Sequence, residues 1–278
     1  MPPHDYLRPS AGSRAWALGR FVLSAAAVSL ALHVALRQPW LGAALGALLV
    51  GFGVPQLRAR QRLRQLLSSG DLRAILDVWN DAIDTLPHHR TIGPLIRATA
   101  LAAHGLTDRA RGVMERAERG LAWENAIEHR LFLETLLDAF EGRRTQALDK
   151  ARALRALPLP ASPWAKSRAS VLRSAAGALA RAFAHCPEVD DAARLRTAAK
   201  HHPLVHWAMR YALAVVHIDQ GRRAEARELV ATAPAWPEGS AFNAFQAEIL
   251  EYSSNKPGPG SRQAAGSRLQ ASGAPPSG

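Results

Sequence analysis

The stretch IRATALAAHGLTDRARGVMERA, residues 96–117, carries the pattern that decides the fold. It reads as a helical segment, a turn at Gly105 and a second helical segment that Thr107 can cap. Small and apolar residues lie at fixed distances from this glycine, namely Ala98, Leu101, Ala110, Met114 and Ala117. The stretch therefore predicts a helical hairpin with a close contact between its two helices.

The same spacing recurs elsewhere along the chain. A clear second copy is centred on Gly221, weaker copies on Gly70 and Gly142, and a degenerate copy turns at Cys186–Pro187. Successive turn positions are 35, 37, 44 and 35 residues apart. A period of this length predicts a stack of helical hairpins, and a helical bundle without repeats is the alternative. Ser240 is predicted to cap a final helix.

This period, with small residues where two helices cross, resembles the tetratricopeptide repeat over roughly residues 58–237. The resemblance implies an all-α fold, a right-handed α-solenoid of about five helical hairpins whose first helices line a concave groove. The family's tryptophan and tyrosine positions on the first helix are mostly absent. A related helical-hairpin solenoid is the fallback.

The resemblance also implies where a partner would bind. The family's groove-facing spacing, laid onto this chain, selects seven residues: Leu95, Phe132, Leu136, Phe183, Tyr211, Val215 and Ile218. Members of the family grip peptides or helices there, and an apolar groove suits an amphipathic or extended apolar segment. We therefore expect protein or peptide partners. The alternative is that these seven side chains are core.

Two apolar runs precede the repeats, FVLSAAAVSLALHVAL (21–36) and WLGAALGALLVGFGVPQL (40–57). As helices they extend over roughly 24 and 27 Å, a little less than a hydrocarbon core of about 30 Å. Residues 15–57 are therefore predicted to form two transmembrane helices that turn at Gln38–Pro39. A buried soluble hairpin and a cleaved signal peptide are the alternatives.

Arginines flank both runs. The membrane-flanking set is Arg20, Arg37, Arg58, Arg60, Arg62 and Arg64. Since only Arg37 lies in the turn, the positive-inside bias places both chain ends in the cytoplasm, with residues 1–14 and the repeat domain 58–252 at the inner membrane. If only one run spans, the repeats would be exported. Small residues of the second run pack most simply on the first run, and homodimerisation is possible but not favoured.

The distribution of charge argues against nucleic acid as a partner. The net charge of +12 comes mainly from the flanks, since residues 1–64 hold eight arginines and one acid. Residues 253–278 add three cations and no acid, while the chain between holds 24 basic and 22 acidic side chains. A nucleic-acid-binding domain carries its excess cations on the folded surface. Residues 253–278 are rich in Gly, Pro and Ser, which predicts a disordered tail.

The residues that usually carry chemistry form no recognisable set. Cys186 is the only cysteine, and His201, His202 and His206 surround Pro203 without an obvious carboxylate or thiol ligand. No phosphate-binding loop, nucleophile elbow or dinucleotide fingerprint occurs in the sequence. The expectation is a protein that is not an enzyme and uses no cofactor, metal or small-molecule substrate. An accessory subunit of a membrane enzyme or transport complex is the alternative.

The order of parts, two apolar helices and then repeats, is similar to that of HemY-type inner-membrane proteins of bacteria. This likeness is architectural and carries no residue-level motif, so the porphyrin-linked role that it implies is an alternative only. The sequence predicts a bacterial membrane-anchored scaffold or adaptor that binds protein partners at the cytoplasmic face.

Overall fold

The structure, a computed structural model, describes residues 39–254, with side chains from Val54 to Tyr252 except Asp81. Every regular element in this range is a helix, so the predicted all-α class is confirmed for the described residues. The first apolar run, Arg20, Arg37, residues 1–14 and nearly all of the predicted disordered tail lie outside them.

Twelve α-helices and one short 3-10 helix occur in residues 39–254. They are α1 (Pro39–Ser69), α2 (Leu72–Asp84), α3 (His89–Ala103), α4 (Thr107–Glu115), α5 (Leu121–Asn125), α6 (Ile127–Phe140), α7 (Arg144–Ala156), α8 (Pro163–Phe183), α9 (Asp191–His201), the 3-10 helix (Pro203–Val205), α10 (His206–Asp219), α11 (Arg223–Ala231) and α12 (Ala241–Ser254).

The described chain falls into two compact units. The first comprises residues 39–66 with 160–166, and the second comprises residues 67–159 with 167–254. In the first unit, α1 continues from the second apolar run through Pro55 into the arginine-rich stretch. All side chains of residues 55–65 are exposed.

The four arginines of α1 occupy two faces of the helix. At 3.6 residues per turn, Arg58 and Arg62 share one face, and Arg60 and Arg64 share the roughly opposite one. Among the described residues, none of the helices combines the length and apolar character that crossing a membrane requires. The transmembrane hairpin, whose first run lies outside these residues, stays a prediction.

In the second unit, four hairpins share one turn geometry. A residue with positive φ follows the first helix, and the next N–H donates to a carbonyl five residues earlier, as in a Schellman motif. The bonds are Leu106 to Leu101 (3.0 Å), Arg143 to Asp138 (2.8 Å), Cys186 to Arg181 (3.0 Å) and Arg222 to His217 (2.7 Å). The predicted turns at Gly105, Gly142 and Gly221 are confirmed.

Two of the remaining turn and cap predictions need correction. The turn between α8 and α9 has its positive-φ residue at His185 (56°), one residue before the predicted Cys186. Thr107 is the first helical residue of α4, Leu106 holds the cap position, and no side chain caps this helix. The prediction for Ser240 is confirmed, because its Oγ accepts the N–H of Phe242 at the start of α12.

The first and second helices of each hairpin differ in burial. Nearly every residue of α3 from Ala98 to Ala103 and of α6 from Phe132 to Phe140 is buried. By contrast, α4 buries only Ala110, and α11 buries only Ala226 and Val230. The second unit therefore has inner helices α3, α6, α8 and α10, with the second helix of each hairpin packed outside through a stripe of small residues.

The hairpin α10–α11 and the segment after it contact the hairpins α1–α2 and α3–α4. The Trp207 Nε1–H donates to the Ser68 carbonyl at 2.8 Å, and the Ser240 hydroxyl donates to the His104 carbonyl at 2.7 Å. The Ala241 N–H also donates to the Gly105 carbonyl at 2.9 Å. In an open solenoid each repeat contacts only its neighbours. These bonds join hairpins that are not neighbours along the chain, so the second unit is not packed as an open solenoid.

Candidate functional site

A cavity of about 540 Å³ opens in the second unit near the residues where α6 and α10 begin. Its volume lies within the range of roughly 300–1,000 Å³ found for ligand sites. Its walls come from the first turns of α6, the N-terminal half of α8 and the segment His201–Val205, with Leu67, Thr99 and Leu154 completing them. Six separate parts of the second unit thus position this cavity.

The cavity is apolar inside and polar at its edge. Phe132, Leu154 and Val205 are buried, and Leu172 and Leu204 are half-buried. The lining residues with high exposure are polar or charged, namely Asn125, Arg168 and His201. An apolar interior with a polar edge is the usual arrangement of a binding pocket that holds an apolar group.

One hydrogen bond inside the cavity wall joins two hairpins. His129 Nε2 lies 2.6 Å from the Thr99 hydroxyl, and that hydroxyl donates its proton to the Leu95 carbonyl at 2.8 Å. Since the only hydroxyl proton is used, Nε2 carries hydrogen and donates to Thr99. Burial lowers the pKa of His129, so this imidazole is neutral with Nδ1 as an acceptor.

A buried guanidinium supports the same wall. Arg173 of α8 is 4% exposed and donates to Glu128 at 2.9 Å and to the Leu157 and Pro158 carbonyls at 2.5 and 3.1 Å. These bonds tie the proline-rich segment after α7 to the start of α6. Arg173 is therefore committed to holding the wall in place.

The geometry gives no activated nucleophile in this cavity. A hydroxyl beside a histidine can form a nucleophile–base pair, but the Thr99 proton points to Leu95 and the histidine donates to the oxygen. Within residues 39–254, no group of three or more His, Cys, Asp or Glu side chains is arranged to hold a metal ion. His206 is turned to the Ala199 carbonyl, 3.0 Å from its Nδ1.

The seven residues of the predicted partner groove are separated by the fold. Leu95, Leu136 and Tyr211 have no exposed surface and belong to the core. Phe132 lines the cavity described above. The other three, Phe183, Val215 and Ile218, line a second cavity of about 380 Å³ at the C-terminal ends of the inner helices. No single open groove therefore contains all seven, and their binding of a partner stays a prediction.

The chain itself covers part of the apolar surface of the inner helices. Phe242 stacks on Tyr211 with ring centroids 4.6 Å apart, and Phe245 lies 5.1 Å from Phe183. The Trp236 Nε1–H donates to the Tyr211 hydroxyl at 2.7 Å. Each large side chain buried in this way contributes about 1.5–3 kcal/mol. The segment from Trp236 through α12 thus covers the Tyr211 and Phe183 side chains of the inner helices.

Sequence reasoning missed the main wall of the first cavity. Thr99, His129 and Arg173 lie on three different helices and read singly as ordinary helix residues. The signal that was available is weak: Leu204 and Leu172 are apolar positions beside polar ones, which predicts a buried face but not an empty space. Only the packing of the hairpins brings these residues together.

Comparison with known protein families, with curated proteins and with solved structures finds no match for this chain.

Proposed function

We propose that this protein is a non-catalytic, membrane-anchored scaffold or adaptor with tetratricopeptide-like repeats, which binds protein partners at the cytoplasmic face of the membrane. The 540 Å³ cavity is the observation that carries the proposal. An apolar segment of the partner fills its interior, and polar groups around that segment contact the exposed edge.

The two ends of the inner helices support the choice of this cavity. At their C-terminal ends, the buried Phe242 and the half-buried Phe245 pack on Phe140 and Phe183 and leave a smaller cavity of about 380 Å³. At the other end, the half-buried Leu172 and Leu204 leave apolar surface in reach of solvent. Apolar side chains in a concave site with a polar edge are typical of the centre of a protein interface.

The membrane anchor rests on the sequence of residues 21–57 and on the arginines that follow. Arg58, Arg60, Arg62 and Arg64 are exposed on opposite faces of α1. A helix that lies flat on a membrane keeps its cations on one face, whereas a helix that enters the membrane end-on presents them all around. The arrangement favours arginines that surround the helix at the level of the lipid headgroups.

The proposal is tested with a photo-crosslinking amino acid at His201, at the edge of the cavity, in native membranes. We expect a defined crosslinked protein that disappears when Leu172 and Leu204 are both replaced by glutamate, because charge in an apolar pocket excludes an apolar segment. The matched control places the crosslinker at Val189, which is 94% exposed and outside the cavity.

A second control replaces Leu121, which is 84% exposed, by glutamate and should leave the crosslink unchanged. The buried Phe132 and Tyr211 are unsuitable test positions, because their substitution would destabilise the core. A crosslink from His201 that survives the double glutamate variant would show that the cavity does not bind the partner.

A further inference from the structure

His129 lines the cavity beside its apolar residues and carries a hydrogen-bond acceptor. His129 uses Nε2–H for Thr99, which leaves the Nδ1 lone pair without a donor among the described residues. Arg173, in the same wall, is already engaged, since it donates to Glu128 and to two carbonyls. A donor group that enters the cavity beside His129 can bond to this Nδ1.

The other polar side chains at the edge of the cavity are exposed or half-buried. Asn125, Arg168 and His201 are exposed, so water can hydrate them when a ligand is bound. His202 is half-buried beside Arg168, and its pKa is lowered by burial and then by the charges of Arg168 and His201.

A ligand matched to this interior combines a large apolar body with one hydrogen-bond donor. A purely apolar body would leave Nδ1 desolvated and unpaired, which costs free energy. A strongly polar or charged body would lose its hydration against Phe132, Leu154 and Val205. Aromatic side chains with an N–H or O–H group meet both conditions, and they are enriched at protein interfaces.

We infer that the cavity receives an aromatic side chain of the partner protein that donates one hydrogen bond, as an indole or phenol does, to His129 Nδ1. This inference rests on the proposed function, since it names the part of the partner that enters the same cavity. The apolar walls provide affinity for the ring, and His129 provides selection between rings with and without a donor.

The test compares two bicyclic probes of the same shape, indole and benzothiophene, whose sulfur replaces the N–H. Binding to the full chain in detergent is measured by ligand-observed NMR titration. One neutral hydrogen bond corresponds to about a threefold to tenfold difference in affinity. We expect the ratio of indole to benzothiophene affinity to fall by that factor in His129→Phe, while benzothiophene still binds.

Matched variants separate the hydrogen bond from the shape of the cavity. His185→Phe changes a half-exposed histidine at the far end of the inner helices and should leave the ratio unchanged. His129→Gln restores an acceptor oxygen and should recover part of the preference for indole. Thr99→Val removes the group that fixes the tautomer of His129 and should reduce the preference, so the test does not depend on His129→Phe folding.

The outcomes distinguish this inference from the proposed function. If neither probe binds, the cavity is not a site for an apolar group and both proposals fail. If both probes bind with a ratio that His129→Phe leaves unchanged, the donor inference alone is overturned. N-acetyl-tryptophanamide, a tryptophan with peptide bonds on both sides, is the third probe. Binding of indole without binding of this compound would indicate a free small aromatic ligand and overturn the assignment to a partner's side chain.

Discussion

Asp191 illustrates at the scale of single residues how charge is used inside this fold. Its carboxylate has no exposed surface and accepts bonds from Arg181 Nε at 2.8 Å and Nη2 at 2.5 Å, and from the Glu188 N–H at 2.8 Å. Arg194 lies 3.2 Å away. Because Arg181 is on α8 and Asp191 begins α9, this cluster holds together the two helices of the α8–α9 hairpin, whose turn lacks glycine.

The pKa of Asp191 links this cluster to pH. Burial alone raises the pKa of the carboxyl, but the hydrogen bonds from Arg181 and Glu188, with the charges of Arg181 and Arg194, outweigh burial and lower it. A pKa below the unfolded value of about 3.9 means that the ionised group stabilises the folded state above about pH 4. This stabilisation is lost as the pH falls through the folded pKa.

We predict that Asp191→Asn lowers the free energy of unfolding by about 3 kcal/mol at pH 7, because it removes the closest and most buried charge partner of a partly buried arginine. The difference from the wild-type protein should narrow as the pH falls below about 4. Denaturant unfolding between pH 7 and pH 3 measures it. Asp190→Asn, at a carboxylate that is 75% exposed, is the control and should change stability by less than about 1 kcal/mol.

At the scale of helices and turns, the glycines that end the inner helices separate into two kinds. Gly105 and Gly142 have the same φ of +74°. A Cβ at Gly142 would meet no atom within 4 Å, whereas at Gly105 it would lie 2.7 Å from Ser240 Oγ and 3.1 Å from the Phe242 ring. Gly105 therefore serves both the turn and the contact with α12.

We predict that Gly142→Ala costs about 1–2 kcal/mol through backbone strain alone, and that Gly105→Ala costs clearly more. The additional loss arises because Ser240 and Phe242 must move away from the new methyl group. Chemical denaturation of the two variants side by side measures the difference. Equal losses of stability in the two variants would mean that α12 does not pack on the α3–α4 hairpin as described.

The hairpins were predictable because their signals are local. The position of a glycine in the left-handed region, and of a small residue a fixed number of positions later, such as Ala226 after Gly221, follows from the geometry of one helix and its turn. His185 shows the limit of this logic, since residues other than glycine are uncommon in that region and the following Cys186–Pro187 pair led to a predicted turn at Cys186. In this conformation the His185 Nδ1 lies 3.0 Å from the Asp219 carboxylate.

The candidate site was less predictable because it depends on contacts between distant residues. The apolar period identifies Leu95 and Tyr211 as facing inward, but it does not say what covers them. In the structure the covering groups come from the chain itself, through Trp236 and Phe242 for Tyr211. Thr99 and His129 likewise come into contact from two different hairpins, and the residue spacing within either helix does not predict that contact.

At the scale of the whole molecule, the proposed anchor decides which compartment the cavity faces. Arg8, Arg14 and Arg20 precede the first apolar run and the four arginines of α1 follow the second, while Arg37 alone lies between the runs. Lys and Arg in short flanking segments determine the orientation of membrane helices. The proposed partner should therefore be a cytoplasmic protein or the cytoplasmic part of a membrane protein.

We predict that the chain stays with membranes in alkaline carbonate and that a reporter fused after Ser253 is active only if it functions in the cytoplasm. Neutral replacements of Arg58, Arg60, Arg62 and Arg64, with lysines added near Gln38, should give mixed orientation, because they remove most of the charge difference across the hairpin. Arginine-to-lysine replacements at the same four positions keep the charge and serve as the control. Should the wild-type fusion report the opposite side, a single run spans the membrane, the cavity faces outward, and an exported partner replaces the cytoplasmic one proposed above.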